Sequence, residues 1–436
     1  MKQITPYFFV VCLLLFGDLL AQQEKGIQGS ENWLNFWTEF KPVTTNHGAP
    51  TQILAGNISK DIKLYKKEVY LLLGDVFVTD STTITIEPGT VILADYKTKA
   101  SLTITKNATI IAEGTQTDPI VFTSNRDVHK KGDWGGIFIL GDAPVNKIGE
   151  QWALDFGLNT SVEENTIYGG TNSESNSGIM SFVRIEYAGK RTREYGYFNS
   201  ITLAGVGSKT VLENIMVSHS AGNSFYVLGG NVDLKKLVSF RSSGNDFKFD
   251  YGAYAYITNS LAVRSPYVSG PGGASSIYIT SSKDDTEVAI EKNRTTVYAK
   301  NLTLLNLSKT LEDDINVGLV KEAVYIDKFA SLVMNKSVVS GFNPAVILDQ
   351  DIHVSYENLK HIEFNKMYFN KCRGNIFTEN VSNNEDLENW YGNRSFFNVY
   401  SKGSDSETFI DPNNQDRPDF RLRINKIIAS EEMDEG

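Results

Sequence analysis

VSHSAGNSF (Val217–Phe225) is followed twenty-two residues later by SFRSSGNDF (Ser239–Phe247), and far downstream by FNKCRGNIF (Phe369–Phe377). Each copy ends in Gly-Asn-x-Phe, and each follows a short apolar run: Asn214–Val217, Lys236–Val238 and Lys366–Phe369. Self-similarity at this period marks a solenoid, propeller or array. The unit has no helical period. It is a β run, a small polar corner and another β run, which suits one coil of a parallel β-helix stacked only on its neighbours. In such a stack, equivalent positions lie about 4.8 Å apart. Asn223 is then expected above Asn245, with Asn375 at the same corner of a later coil, their amides bonding in a ladder. Gly222, Gly244 and Gly374 are expected to supply a permissive φ. Phe225, Phe247 and Phe377 are expected to point inward and stack. By alternation, Ile215, Val217, Leu237, Leu261, Val263 and Leu304 are expected on the inward face of the preceding strand.

The chain has 436 residues and a formal net charge of −10. A single core rarely grows to this length, but a solenoid lengthens without thickening. The acidic balance excludes nucleic acid as a partner, because phosphate binding needs a basic face. Lys2, the apolar run Tyr7–Phe16 and Ala21 read as a secretory signal over 1–21, too short to span a membrane. The protein is therefore expected outside the cytoplasm: in the periplasm, on the outer membrane surface or in the medium. With Cys12 inside that run, Cys372 is left as a lone cysteine. It stands where the sister repeats have Ser220 and Ser242, which predicts a buried small side chain.

Residues 22–54 are expected to cap the first coil. Trp33, Phe36, Trp37 and Phe40 recur at i, i+3, i+4 and i+7, which predicts an amphipathic helix. That stripe covers an open sheet edge or docks a partner. Short strands punctuated by Gly and Pro then run through 55–382, with irregular insertions at 141–178 and 266–292. Residues 383–436 read as an irregular C-terminal cap and acidic tail.

The stretch Ala55–Ser265 carries Ile86-Glu87-Pro88-Gly89-Thr90, Ala112-Glu113-Gly114-Thr115, Asp118-Pro119-Ile120, Trp134-Gly135-Gly136, Tyr168-Gly169-Gly170, Leu203-Ala204-Gly205-Val206-Gly207 and Leu228-Gly229-Gly230. With these it resembles a family of secreted or surface-exposed right-handed parallel β-helix proteins of Bacteroidota, mostly uncharacterised. Pro418-Asp419-Phe420-Arg421 resembles the family's closing motif. The resemblance implies an all-β, right-handed parallel β-helix, and it implies no reaction. It also implies paired acids at corners where this chain has Gly222-Asn223 and Gly244-Asn245. A Ca²⁺ site of that kind would rest here on Asp246 and Asp250.

Two functions from different classes follow. The first is an exported, non-enzymatic envelope protein that binds a glycan or an outer-membrane partner. Its candidate contacts are Tyr251, Tyr254 and Tyr256, whose rings suit sugars or a protein surface, together with Arg241, Asp246 and Asp250. Trp33, Phe36, Trp37 and Phe40 are the candidate partner-docking set. The second is a polysaccharide lyase or glycoside hydrolase, which needs acids for Ca²⁺ with a basic residue, or carboxylates at fixed separations. Asp246, Asp250, Asp284 and Asp285 with Arg241 and Arg264 are the acids and bases nearest one another. The five histidines show no metal-ligand spacing.

Overall fold

A computed structural model describes residues 25–42, 47–149, 151–268, 274–282, 294–381 and 384–423. Residues 1–21, expected to be a secretory signal, Asp284, Asp285 and the acidic tail lie outside the described residues. Twenty-nine strands join in one sheet through parallel pairings, and they wind into a right-handed parallel β-helix with three walls.

The first wall stacks Asn231–Lys235, Tyr254–Thr258, Thr295–Lys300, Ala330–Asn335 and Ile362–Asn365. The second stacks Val238–Phe240, Leu261–Arg264, Thr303–Asn306, Val338–Ser340, Tyr368–Asn370 and Val399–Ser401. The third stacks Gly136–Leu140, Ile201–Ala204, Phe225–Leu228, Phe247–Asp250, Ile277–Ile279, Val324–Ile326, Val346–Leu348 and Ile376–Thr378. Val211–Ser218 belongs to two walls. It pairs with Leu234–Lys235 at one end and with Val238–Phe240 at the other, and it bends at Asn214, where φ is +52°. The same left-handed bend recurs at Phe182, Lys236, Asn259, Asn301, Lys336 and Lys366. These form a column of turning residues at one corner, and only the asparagines among them suit that backbone.

The repeat reads correctly at two of its three copies. Phe225 stacks on Phe247 with ring centroids 5.4 Å apart. Asn223 Nδ2 donates to Asn199 Oδ1 (2.7 Å), and Asn245 Nδ2 donates to Asn223 Oδ1 (3.0 Å). At the third copy the inward residue is Ile376, in register below Val346. Phe369 to Ile376 is seven positions, whereas Val217 to Phe225 is eight. The shorter corner therefore turns Phe377 outward, because a one-residue slip reverses the face. The glycines are also corrected. Gly374 adopts φ +92°, but Gly222 and Gly244 do not have positive φ. They are small because the neighbouring coil lies too close: a Cβ on Gly222 would fall 1.9 Å from the Phe198 carbonyl oxygen.

Ile215, Val217, Leu237 and Leu304 lie in the interior core as expected. Leu261 and Val263 do not. Ala262 holds the inward register and its two neighbours face out. What covers them corrects the reading of the N-terminus. Residues 33–37 form turns, not a helix, and the segment is a strap along the side of the solenoid rather than a lid on its end. Gly26 N donates to Lys336 O (2.8 Å), Ile27 N to Thr303 Oγ1 (3.0 Å) and Gln28 N to Asn259 Oδ1 (2.7 Å). Trp37 then meets Phe182 edge-on. The strap thus descends the corner column against the direction of stacking. Ile27, Trp33, Leu34, Trp37 and Phe40 pack with Met216, Val238, Phe240, Leu261 and Val263. The spacing that predicted one apolar helical stripe is met only in part: Trp33, Trp37 and Phe40 share one buried side of the turn, and Phe36 points out.

The insertion 266–292 is likewise corrected: Ile277–Ile279 inside it is a third-wall strand. Val399–Ser401 extends the second wall beyond 382. The helix Glu385–Tyr391 covers the last coil, with Leu387 and Tyr391 in the interior cluster and Tyr391 Oη donating to Ile362 O (2.9 Å). Phe409–Asp411 and Asp419–Leu422 form an antiparallel hairpin beside the strap. Asn32 Nδ2 donates to Pro418 O (2.8 Å), and Arg421 Nη1 donates to Gly29 O (2.8 Å).

Candidate functional site

The outer face of the third wall carries the most developed concavity. Residues 141–178, inserted after Leu140, fold back over the wall with a small antiparallel pairing of Trp152–Ala153 and Ile167–Tyr168. A second excursion, the hairpin Arg191–Thr192 with Gly196–Tyr197, rises from the opposite corner. Between them lies a cleft of about 720 Å³, a volume usual for small-molecule sites. Trp152, Tyr168 and Lys147 form one side, Tyr195 and Tyr197 the other, and Tyr226, Lys248 and Asn223 the floor. Lys147 Nζ sits 4.5 Å from the ring centroids of both Trp152 and Tyr251. Lys248 Nζ sits 4.7 Å from Tyr226 and 5.8 Å from Tyr278. These cations cover ring faces, and Tyr168, Tyr226 and Tyr251 are buried, so the aromatic surface open to the cleft comes from Trp152, Tyr195 and Tyr197.

The predicted contact residues divide among three places. Tyr251 lines this cleft and, with φ +52°, ends the third-wall strand. Asp250 faces the same side, accepting from Tyr226 Oη (3.2 Å) and from Tyr251 N (2.9 Å). Asp246 is buried on another side of the corner, where Arg264 Nη1 donates to it at 2.9 Å and Ser239 Oγ at 2.5 Å. Burial pushes its carboxyl above the ordinary aspartate range and Arg264 opposes that shift. The Asp246–Arg264 pair is a structural tie, and the two acids do not face a common point. Tyr254 and Tyr256 lie on the first wall, 39% and 40% exposed, beside Tyr298. The Tyr256 and Tyr298 rings stack at 4.9 Å. Arg241 is exposed, turned away over Phe240, and its carbonyl accepts from Lys131 Nζ (2.6 Å). Of the proposed docking set, Trp33, Trp37 and Phe40 are buried within the chain, and Phe36 is 63% exposed.

Three histidines gather where spacing gave no sign of it. His129, Tyr187 and His219 form a ring column with centroids 4.8 and 5.3 Å apart, capped by Phe240, and His47 faces His129 and Arg184. Among the described residues, no three His, Cys, Asp or Glu side chains converge as a metal site. Cys372 sits at its corner with Sγ near the carbonyls of Asn370 (3.4 Å) and Val339 (3.7 Å), and burial pushes its thiol up to about 11. It is no nucleophile at neutral pH.

Further along the third wall, Tyr278 stacks on Tyr325 at 4.8 Å with ring planes 12° apart. Tyr325 Oη donates to Asp349 Oδ2 (3.0 Å) and lies 3.5 Å from Glu379 Oε2. Burial, with Asp349 nearby, raises the Asp327 carboxyl above its ordinary value. Sequence reading missed Trp152, Tyr168, Tyr226 and Lys248, because their convergence needs the register of two coils and the fold of one excursion. Their one local signal was the length of the 141–178 insertion.

A three-walled parallel β-helix with an aromatic cleft on one wall is the class that this geometry defines. Residues 56–408 match the pectate-lyase-like β-helix domain family, and the chain belongs to that family. No curated protein matches the chain. Among solved structures, the surface protein and adhesin PfbA of Streptococcus pneumoniae aligns over 80% of this chain and 92% of its own, with 10% identity and a TM-score of 0.27. So loose a superposition bears on neither protein's role here.

Proposed function

We propose that this chain is an exported envelope protein that binds a glycan in the third-wall cleft. The carrying observation is one concavity in which the half-buried Trp152 and Tyr195 and the exposed Tyr197 line opposite sides, with Lys147 and Lys248 beside them. Planar rings beside fixed donors and acceptors suit sugars, which offer one apolar face and many hydroxyls. The N-terminal apolar run supports export. An outer-membrane protein partner has less support, since three of the four aromatics that suggested it are used inside the fold.

The test is binding of the purified protein to an immobilised glycan array. At least one class should bind saturably, and Trp152→Ala or Tyr197→Ala should weaken it about tenfold, the loss of roughly 1.4 kcal/mol of ring contact. Saturable binding that both variants leave intact places the ligand elsewhere.

One observation favours the enzymatic reading. Asp327 and Asp349 follow Ile326 and Leu348, which are in register on successive coils, so two carboxyl groups of the kind glycoside hydrolysis needs stand side by side. The same incubations should then show new reducing ends or unsaturated products, and Asp327→Asn should abolish them. Unchanged polymer length would remove this reading.

A further inference from the structure

We propose that the cleft accepts the end of a glycan chain, not its middle, and that the rest of the chain leaves along the solenoid axis over Lys248, Tyr278 and Tyr325. This rests on the glycan reading above.

The cleft is shut at its early-coil end. Phe156, carried by the insertion, packs onto Phe138 and Phe198 with centroids 5.5 and 5.3 Å away, and those two lie 5.8 Å apart. Beside this plug, Gly157 lies so close to the Tyr195 ring that a Cβ there would fall 2.4 Å from it. The two excursions, which leave the solenoid at different corners, therefore meet across the top of the strand Gly136–Leu140. Trp152 and Tyr168 close one flank, and Tyr195 and Tyr197 the other. A chain passing along the wall needs an entrance and an exit, and among the described residues the early-coil end is blocked while the side toward the later coils is not.

Beyond the opening, the outer column of the wall runs in register from Tyr226 to Lys248, Tyr278 and Tyr325. Each step is one coil, about 4.8 Å, close to the advance per ring of an extended hexopyranose chain. The Tyr278 and Tyr325 rings stack along the axis, so they offer edges and hydroxyls outward. Asp327, Asp349 and Glu379 follow one another at the adjacent edge, as acceptors for sugar hydroxyls. The cleft would thus hold a terminal residue by ring faces, and the strip would hold the following residues by hydrogen bonds.

The experiment uses the full mature protein with three polymers: β-1,4-glucan, chitin and homogalacturonan. Each is offered as long chains and, at equal mass, as its hexasaccharide. For a polymer that binds, capacity per gram should rise in proportion to the number of chain ends as the chains are trimmed. Capacity per gram that is independent of length overturns end recognition while leaving the glycan reading in place. Binding of none of the three, together with an empty array, overturns the glycan reading and this inference with it. Tyr325→Ala, outside the cleft, should weaken the hexasaccharide about fivefold and leave the disaccharide unchanged. Equal loss for both, or for neither, overturns the exit path.

Discussion

His219 shows what a single residue does in this fold. It turns the corner with φ +55°, and its ring lies between Tyr187 and Phe240. Burial, then Lys131 and Arg241, hold its imidazole down to about 4; burial, then Arg184 and His129, do the same to His47. In the unfolded chain both titrate near 6.5. Between those values the unfolded chain binds protons that the folded chain refuses. Stability is therefore full above about pH 6.5 and falls as the pH drops toward about 4. Urea midpoints measured at about pH 7.5 and about pH 5 should fall, and His219→Asn, which tolerates the left-handed backbone, should flatten the drop. A steeper drop in that variant would show that His219 is not a source of the pH dependence.

At the scale of elements, the strap is the part whose role changed most between sequence and structure. Trp37 is fully buried, donates Nε1–H to Trp33 O at 2.7 Å and packs edge-on against Phe182. Trp37→Ala should cost about 3–5 kcal/mol in denaturant unfolding. Phe36→Ala, at an exposed neighbour one position away, should stay within about 0.5 kcal/mol. Similar losses for both would mean that the strap is held by something other than this packing. The periodic positions 33, 37 and 40 were readable as apolar, but the surface they cover was not. Outward apolar residues such as Val238, Phe240, Leu261 and Val263 betrayed a cover over the second wall, and alternation alone could not fix their phase. The coils themselves were legible because Gly-Asn-x-Phe repeats at one corner. The cleft was not, because its residues come from coils and excursions up to about a hundred positions apart, from Lys147 to Tyr251. The one-residue deletion before Ile376 shows the limit sharply: a motif can persist while the register beneath it shifts.

For the whole molecule, each coil contacts mainly the one before and the one after, so stability is close to a sum of neighbour terms. Leu387, on the helix over the last coil, is buried against the end of the stack and shields it from water. Leu387→Asp should remove hydrogen-exchange protection from Ile362–Asn365 and Tyr368–Asn370 while Ser101–Ile104 keeps its own. Uniform loss along the chain would show instead that the solenoid opens all at once.

The strap also sets an order of events in time. Ile27 bonds Thr303, 276 positions away, and Asn32 bonds Pro418, 386 positions away. A segment made early thus finds its partners among residues made much later. Coils can stack as they are synthesised, but the seam along the second wall closes only when nearly the whole chain is present, after a long loop-closure search. Until then the apolar flank at Leu261 and Val263 stays uncovered and open to wrong partners. Completion is a late and separate step, and a chain halted before its C-terminal hairpin would be stacked but unsealed.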